Sequence, residues 1–246
     1  MQIKVINPNT TAAMTAAIGR AAQAVAAPGT EISAVSPTMG PVSIEGHYDE
    51  AVGALGVLDE VRRGEAQGVD GYVIACFGDP GLLAAREAAR GPVIGIAEAA
   101  MHAASFIATG FSVVTTLERT CVSARHLADA YGMTRFCRGV RATDLAVLDL
   151  EAASARTREV IIAECRRALA EDRSDAIVLG CAGMAELARD ISAAIGAPVI
   201  SGVEVAVKMV EGLVVLGLGT SKFGGFAPPL AKRYIGLVEG FAPKEA

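Results

Sequence analysis

The sequence contains no tryptophan, and aromatic residues make up only 4% of its 246 residues. Lysine and arginine form no dense run, and the formal net charge is −5 at pH 7. Proteins that bind single-stranded nucleic acid stack bases on aromatic side chains, and nucleic-acid-binding domains in general carry a basic surface. The composition therefore argues against a nucleic acid partner.

Long apolar runs and paired cysteine motifs are also missing. No apolar stretch reaches the roughly 18 residues that a membrane helix needs, so no membrane partner is expected. A strand pattern begins at once without a basic leader, which predicts a cytoplasmic location. The five cysteines are odd in number and form no CxxC pair, a usage typical of free thiols in a reducing compartment.

The motifs that bind common cofactors are absent as well. No GxGxxG follows the first predicted strand, and the chain has neither a phosphate-binding P-loop nor a GxSxG nucleophile turn. The three histidines, His47, His102 and His126, are widely separated and do not have the spacing of metal ligands. We therefore expect a reaction that uses neither a cofactor nor a metal.

Short β-branched runs alternate with longer alanine-rich segments along the chain. The predicted strands are 3–6, 31–35, 71–75, 93–96, 111–115, 136–140, 176–180 and 199–200. The predicted helices are 11–26, 49–65, 81–89, 101–108, 118–131, 152–171, 184–194 and 203–216, with a final short helix after a glycine-rich loop at 217–229. Continuous apolar strands that alternate with helices indicate parallel sheets covered on both faces, so the expected class is doubly wound α/β.

Two stretches of the chain share one pattern. A predicted strand ends at Cys76, Gly78 follows, and a helix and a Pro-Val-Ile strand come next; the same order recurs around Cys181 and Gly183. Each half also has an earlier strand that ends in a turn rich in asparagine or threonine. The duplication predicts two similar lobes, one formed by residues 1–105 with 206–246 and the other by residues 106–205.

Both repeated cysteines are expected at the carboxyl ends of parallel strands, where open sheets bind their ligands. Each precedes a helix N-terminus, whose free amides stabilise a thiolate or an anionic oxygen. A cysteine after a buried strand is also a common core residue, and it is the duplicated setting that favours function for Cys76 and Cys181. Cys121, Cys137 and Cys165 lack that setting, and we interpret them as buried filler.

Polar turns after the first strand of each half supply further candidates. Asn9 and Thr10 lie in an Asn-Pro-Asn-Thr-Thr turn that has the signature of a helix cap but is longer than a cap requires. This length favours ligand contact, and the Thr115-Thr116 pair occupies the matching position in the second half. Ser43 lies in a loop of diverse side chains, where it either reaches the ligand or is simply solvated.

Four stretches, at 5–11, 40–46, 76–81 and 179–184, resemble the aspartate/glutamate/hydantoin racemase superfamily, and within it the hydantoin and allantoin racemase branch. They read VINPNTT, GPVSIEG, CFGDPG and LGCAGM, and they occur in the expected order. Glutamate racemases typically have Thr-His after the second cysteine, where this chain has Ala182 and Gly183. The resemblance therefore does not extend to an amino acid substrate.

The resemblance implies two pseudosymmetric α/β lobes with the active site in the cleft between them. It also implies a racemisation without cofactor, in which Cys76 and Cys181 are the two bases. The remaining residues of the two cysteine turns would then contact the substrate; these are Phe77, Gly78, Ala182 and Gly183.

The leading hypothesis is racemisation of 5-monosubstituted hydantoins, with allantoin as one candidate substrate. The expected partner is thus a small cyclic ureide, and exposed alanine-rich helices favour a homo-oligomer. One alternative keeps the scaffold but uses a single nucleophilic cysteine, as a decarboxylase or a cis–trans isomerase. The alternative of another class is a two-lobed protein that closes on a small ligand without chemistry.

Overall fold

The structure, a computed structural model, describes residues 1–150 and 154–243 as two parallel sheets flanked by helices. The first sheet has the order β2-β1-β3-β4, with β1 (Gln2–Ile6), β2 (Glu31–Val35), β3 (Gly71–Ile74) and β4 (Val93–Gly95). The second has the order β6-β5-β7-β8, with β5 (Phe111–Thr115), β6 (Cys137–Ala142), β7 (Ala176–Leu179) and β8 (Val199–Ile200). Because both sheets have the same order, the predicted doubly wound class with two similar halves is confirmed.

Helices connect successive strands within each sheet. The first half contains α1 (Ala12–Val25), α2 (His47–Gln67) and α3 (Leu82–Ala88), and α4 (Ile96–Ile107) leads to the second half. The second half contains α5 (Thr120–Ala130), α6 (Ala155–Glu171) and α7 (Ala188–Ile195), followed by α8 (Gly202–Val215). Short 3-10 turns are formed by Val147–Leu150, Ala182–Leu187 and Gly236–Phe241, the last matching the predicted final helix. No helix in the described part of the chain is long and apolar enough to cross a membrane.

All eight predicted strands are present, with ends within two residues of the prediction. The predicted start of the helix at 101–108 was wrong, because α4 begins at Ile96. The amides of Ala97 and Glu98 donate to the carboxylate of Asp79 at 3.1 and 3.0 Å, so this side chain caps α4 from a distant turn. A cap from another part of the chain leaves no local signal in the sequence.

The other helices differ from the prediction mainly at their N-termini. The predicted helix at 184–194 is divided, because its first residues belong to a 3-10 turn and α7 begins at Ala188. The predicted helix at 152–171 starts within residues that lie outside the described part. From Ala155 onward it is α6, and the Ser154 hydroxyl accepts a hydrogen bond from the Thr157 amide at 3.0 Å as its N-cap.

The last helix, α8, leaves the second sheet and packs on the first half. Its apolar face, with Val203, Val207 and Val210, joins the core cluster that contains Ile3 and Val73 of the first sheet. The sequence assigns the segment after residue 205 to the first lobe, and that assignment, with the lobe boundaries, stays a prediction.

The strand register places the turns that carry the predicted site residues side by side. Ile6 of β1 pairs with Ile74 of β3, and Val114 of β5 pairs with Leu179 of β7. The Asn-Pro-Asn turn and the Cys76 turn therefore leave one sheet at the same edge. The Thr116 turn and the Cys181 turn leave the other sheet in the same way, as expected for parallel strands.

Candidate active site

One pocket is lined by residues from the carboxyl ends of β1, β3, β5 and β7, and both repeated cysteines lie in its wall. Cys76 enters from the first half and Cys181 from the second. Of the other predicted site residues, the pocket is also lined by Asn9, Phe77, Gly78, Thr115, Thr116 and Ala182. The internal repeat thus corresponds to two thiols that face a shared space.

The two thiols have unequal acidities. Burial raises the pKa of Cys181 to about 11, the Gly183 amide that donates to its sulfur opposes the rise, and the charge of Glu45 adds to it. Burial raises the pKa of Cys76 still further. The Gly78 amide opposes this rise, whereas negative charge on Cys181 and on nearby carboxylates adds to it. Cys181 is therefore the thiol that ionises first.

The amides of Gly78 and Gly183 take one of the two roles expected of the amides after each cysteine. The sequence predicted that such amides stabilise either a thiolate or an anionic oxygen of a substrate. In the structure these two amides donate to the cysteine sulfurs. They stabilise whichever thiolate is present, and Gly183 itself does not line the pocket.

Asn9 serves both as a helix cap and as part of the pocket wall. Its Oδ1 accepts hydrogen bonds from Asn7 Nδ2 at 2.8 Å and from the Thr11 amide at 3.0 Å, which holds the turn at the start of α1. Its Nδ2 lies 3.2 Å from the sulfur of Met14, another lining residue. The amide nitrogen of Asn9 therefore retains donor capacity toward the pocket.

Thr10 and Ser43 do not line the pocket. The amide and hydroxyl of Thr10 donate to the carbonyl of Pro41 at 2.9 and 3.2 Å, so Thr10 ties the loop at 40–46 to the first turn. From that loop it is Ile44 and Gly46 that reach the pocket wall. The structure thus assigns Thr10 to the support of the loop and leaves Ser43 at its partly exposed surface.

The two threonines after β5 differ in what their hydroxyls contact. The Thr115 hydroxyl donates to the Gly180 carbonyl at 3.1 Å and lies 3.1 Å from the Thr120 hydroxyl, which joins the ends of β5 and β7. The Thr116 hydroxyl has no hydrogen-bond partner within residues 1–150 and 154–243. Thr116 is therefore the threonine whose hydroxyl is available to a ligand.

Sequence reasoning missed Glu50, which lines the pocket from α2. Its approach to the Cys76 turn depends on Gly78, since a Cβ at that position would lie 2.5 Å from Glu50 Oε1. The sequence shows Gly78 two residues after Cys76. It does not show that the carboxylate of Glu50 occupies the space where a side chain at position 78 would lie. Val147 was also missed, because it reaches the pocket from a 3-10 turn that no sequence pattern predicts.

The remaining cysteines lie outside this pocket, and all five are free, as predicted. Cys121 and Cys165 are buried, which agrees with their interpretation as filler. The interpretation was wrong for Cys137, which is only half-buried because β6 is an edge strand. Within the described ranges, no group of three or more His, Cys, Asp or Glu side chains is placed to hold a metal ion.

Comparison with known proteins finds a matching family model and relatives that cover nearly the whole chain. A family model described as Asp/Glu/Hydantoin racemase matches residues 3–210. A hydantoin racemase of Rhizobium meliloti is 51% identical over 96% of this chain and 98% of its own length. One from Pseudomonas sp. (strain NS671) is 49% identical over 98% of this chain and 97% of its own. A solved structure of an allantoin racemase from Klebsiella pneumoniae is 58% identical, covers 99% of this chain and 100% of its own, and superposes with a TM-score of 0.96.

Proposed function

We propose, from the premise that this chain belongs to the Asp/Glu/hydantoin racemase family, that it racemises 5-monosubstituted hydantoins, allantoin among them, at C5. The observation that carries the proposal is the pair of thiols, Cys76 and Cys181, which reach one pocket from equivalent turns of two similar half-structures. Identities near one half to hydantoin racemases, and above one half to an allantoin racemase, support this substrate class.

Two opposed thiols suit an inversion at one carbon. In a hydantoin, C5 lies between N1 and the C4 carbonyl, so removal of its proton gives an enolate delocalised onto the C4 oxygen. The Cys181 thiolate takes the C5 proton from one face, and the Cys76 thiol donates its proton to the other. The C5–H bond is thereby broken and re-formed with opposite configuration, and the thiolate is left on Cys76. The reverse reaction starts from that state, so the pair titrates as one coupled unit.

The pocket is suited to a neutral ring. No lysine or arginine belongs to its lining as described, so a dicarboxylate or an amino acid would find no cationic partner there. The Thr116 hydroxyl and the Asn9 amide nitrogen are side-chain donors available to the ring carbonyls. This environment disfavours the single-cysteine decarboxylase, whose malonate-like substrate carries extra negative charge.

The protein requires no cofactor in this proposal, because the adjacent carbonyl already acidifies the C5 proton and the thiols supply both proton transfers. Binding without chemistry would explain the cleft between two halves but not the matched thiols. The cytoplasmic location and the homo-oligomer stay predictions of the sequence.

The test is proton NMR in deuterium oxide, with purified protein and (S)-allantoin or one enantiomer of 5-benzylhydantoin. Optical rotation is followed in parallel, against a control without enzyme because hydantoins racemise slowly unaided. We expect rapid loss of the C5 proton signal together with loss of rotation. If the C5 proton of every hydantoin tested exchanges no faster than in the control, the racemase proposal is overturned and simple ligand binding is favoured.

A further inference from the structure

Glu50 is the one carboxylate in the described lining of the pocket, and the two-thiol chemistry does not use it. It lies on α2, and its side chain is 22% exposed. Its Oε1 packs against the backbone of Gly78 in the Cys76 turn, in the space that a Cβ would fill. The charge of Glu50 is also among those that raise the pKa of Cys76, which agrees with its place beside that thiol.

The carboxylate of Glu50 has acceptor capacity to spare. Its Oε2 lies 3.2 Å from Nδ1 of His47, a side chain that is largely exposed. A carboxylate offers about four acceptor positions, so one such contact leaves others open. By contrast, the Oδ1 atoms of Asn7 and Asn9 both accept hydrogen bonds within their own turn. Glu50 is therefore the strongest acceptor that faces the pocket.

The two flanks of C5 in a hydantoin differ in what they offer to a carboxylate. On one side N1–H is a hydrogen-bond donor, and on the other the C4 oxygen gains negative charge when the C5 proton leaves. A carboxylate beside the C4 oxygen would repel that charge, whereas a carboxylate beside N1–H forms a charge-assisted hydrogen bond. With C5 held between the two thiols, only one of these orientations is compatible with Glu50.

We infer that Glu50 accepts a hydrogen bond from N1–H of the ring and so determines which way the substrate lies between the two cysteines. This assignment rests on the proposed function and names the feature that selects the substrate class. Rings with a hydrogen on the nitrogen next to C5 are accepted, while substrates with a carboxylate in that position are repelled. The C4 oxygen then points away from Glu50, toward neutral donors of the pocket wall.

Methylated substrates separate this contact from all others. Steady-state racemisation is measured for one enantiomer of 5-benzylhydantoin and for its 1-methyl and 3-methyl derivatives. The enzymes are the natural protein, Glu50→Gln, Glu50→Ala and the control Asp59→Asn, which removes a carboxylate from α2 outside the pocket. Circular dichroism and thermal unfolding show whether each variant is folded, and Glu50→Gln preserves the shape of the side chain should the alanine variant fold poorly.

A hydrogen bond to a charged group is worth roughly 1.5–3 kcal/mol, so Glu50→Ala should lose about 10- to 160-fold in kcat/KM on the parent ring. In the natural protein, methylation at N1 should cost at least as much and methylation at N3 far less. In Glu50→Ala the penalty for N1 methylation should nearly vanish, because the partner of that hydrogen is already gone. Glu50→Gln, which keeps a neutral acceptor, should lie between, and Asp59→Asn should resemble the natural protein.

An N1-methyl penalty of the same size in the natural protein and in Glu50→Ala would overturn the assignment while leaving the racemase intact. A larger penalty at N3 than at N1 would also overturn it, since the ring would then lie the other way. If the natural protein racemises (S)-allantoin but not 5-benzylhydantoin, the same comparison is made with allantoin and its ring-methylated 1-methyl and 3-methyl derivatives. If it racemises neither parent compound, the proposed function fails and this assignment fails with it.

Discussion

Cys76 and Cys181 occupy equivalent turns, yet their surroundings make them chemically unequal. Glu50 and Asp79 add negative charge near Cys76, whereas Glu45 is the carboxylate that acts on Cys181. Both thiols are protonated more readily than an exposed cysteine, and an ionised Cys181 raises the pKa of Cys76 again. Near neutral pH both thiols are therefore mainly protonated in the free protein, and the asymmetry decides that a single proton is lost from Cys181 and not from Cys76. The thiolate and thiol that result are the state that a two-base racemase needs.

Replacing either thiol should separate proton exchange from racemisation. In Cys76→Ser and Cys181→Ser we expect racemisation to fall by about 1,000-fold or more, because one of the two proton transfers is lost. The surviving thiol should still exchange the C5 proton of one enantiomer, and opposite enantiomers in the two variants would assign the faces. Proton NMR in deuterium oxide measures both quantities, with Cys121→Ser as the control. Racemisation at the natural rate in either variant would contradict the two-base assignment.

Alkylation should reveal the order in which the thiols ionise. With iodoacetamide, Cys181 should be modified ahead of Cys76, since its pKa is raised less, and its rate should increase about tenfold per pH unit below about pH 11. Cys137 is half-buried and should also react, but only the two pocket thiols should be protected by (S)-allantoin. Peptide mass spectrometry over time, with and without the substrate, provides the measurement. Protection that extends to Cys137, or is absent at Cys181, would speak against the shared pocket.

At the scale of elements, polar residues of the turns that line the pocket also cap helices. Asn9 holds the start of α1, and Asp79 caps α4 while its own backbone adopts a left-handed φ of 44°. Asparagine and aspartate tolerate this region better than other side chains, which suits the aspartate in the Cys76 turn. The same residues thus shape the turns and anchor the helices behind them, so the turns are held rigidly.

Two glycines of α8 should respond in opposite ways to alanine. A Cβ on Gly202 would lie 2.3 Å from the Ile96 carbonyl, so Gly202→Ala should lower the free energy of unfolding by about 1–3 kcal/mol. A Cβ on Gly212 meets nothing within 4 Å, so Gly212→Ala should raise the same quantity by about 0.5–1 kcal/mol through helix propensity. Urea unfolding compares the two variants. Equal effects would show that α8 does not approach α4 as closely as the structure has it.

At the scale of the whole molecule, the Cys76 turn is joined to the second half by a partly buried hydrogen bond. The Tyr131 hydroxyl, just after α5, donates to Asp79 at 2.7 Å, so the residue that caps α4 also connects the two halves. Burial raises the pKa of Asp79 to about 7, and the hydrogen bonds from Tyr131 and from the amides of Glu98 and Ala97 oppose the rise. This carboxyl therefore changes charge near neutral pH.

The raised pKa of Asp79 predicts the direction in which the free energy of unfolding changes with pH. Below about pH 4 the carboxyl is protonated in both the folded and the unfolded chain. Between about pH 4 and 7 the unfolded chain releases this proton and the folded protein keeps it, so stability falls as pH rises. Relative to Asp79→Asn, the natural protein should lose on the order of 4 kcal/mol across this window.

Urea unfolding of both proteins at several pH values measures this difference. Tyr131→Phe is the matched variant, since loss of a hydrogen bond that opposes the rise should extend the window to higher pH. A difference between the natural protein and Asp79→Asn that does not change with pH would show that Asp79 is ionised throughout.

The sequence by itself determined the order of strands and helices along the chain, the internal duplication and the positions of the two repeated cysteines. These features are local, because β-branched runs, capping turns and glycines act over a few residues, and the repeat can be seen by aligning the chain with itself. Within each sheet, parallel strands end at a common edge, so the Cys76 turn lies beside the Asn-Pro-Asn turn and the Cys181 turn beside the Thr116 turn. That the two cysteine turns face each other was expected from the duplication of the two halves.

Only the tertiary structure decided which side chains surround those thiols. Lys4 lies buried in the middle of β1 because Glu60 of α2 is 2.8 Å away, and no pattern near either residue indicates the other. The start of α4 depends on Asp79, and the carboxylate in the pocket, Glu50, arrives through the space left by Gly78. Distances between residues far apart in the chain depend on how whole elements pack, and it is this packing that determines the acidity of the thiols and the orientation of the substrate.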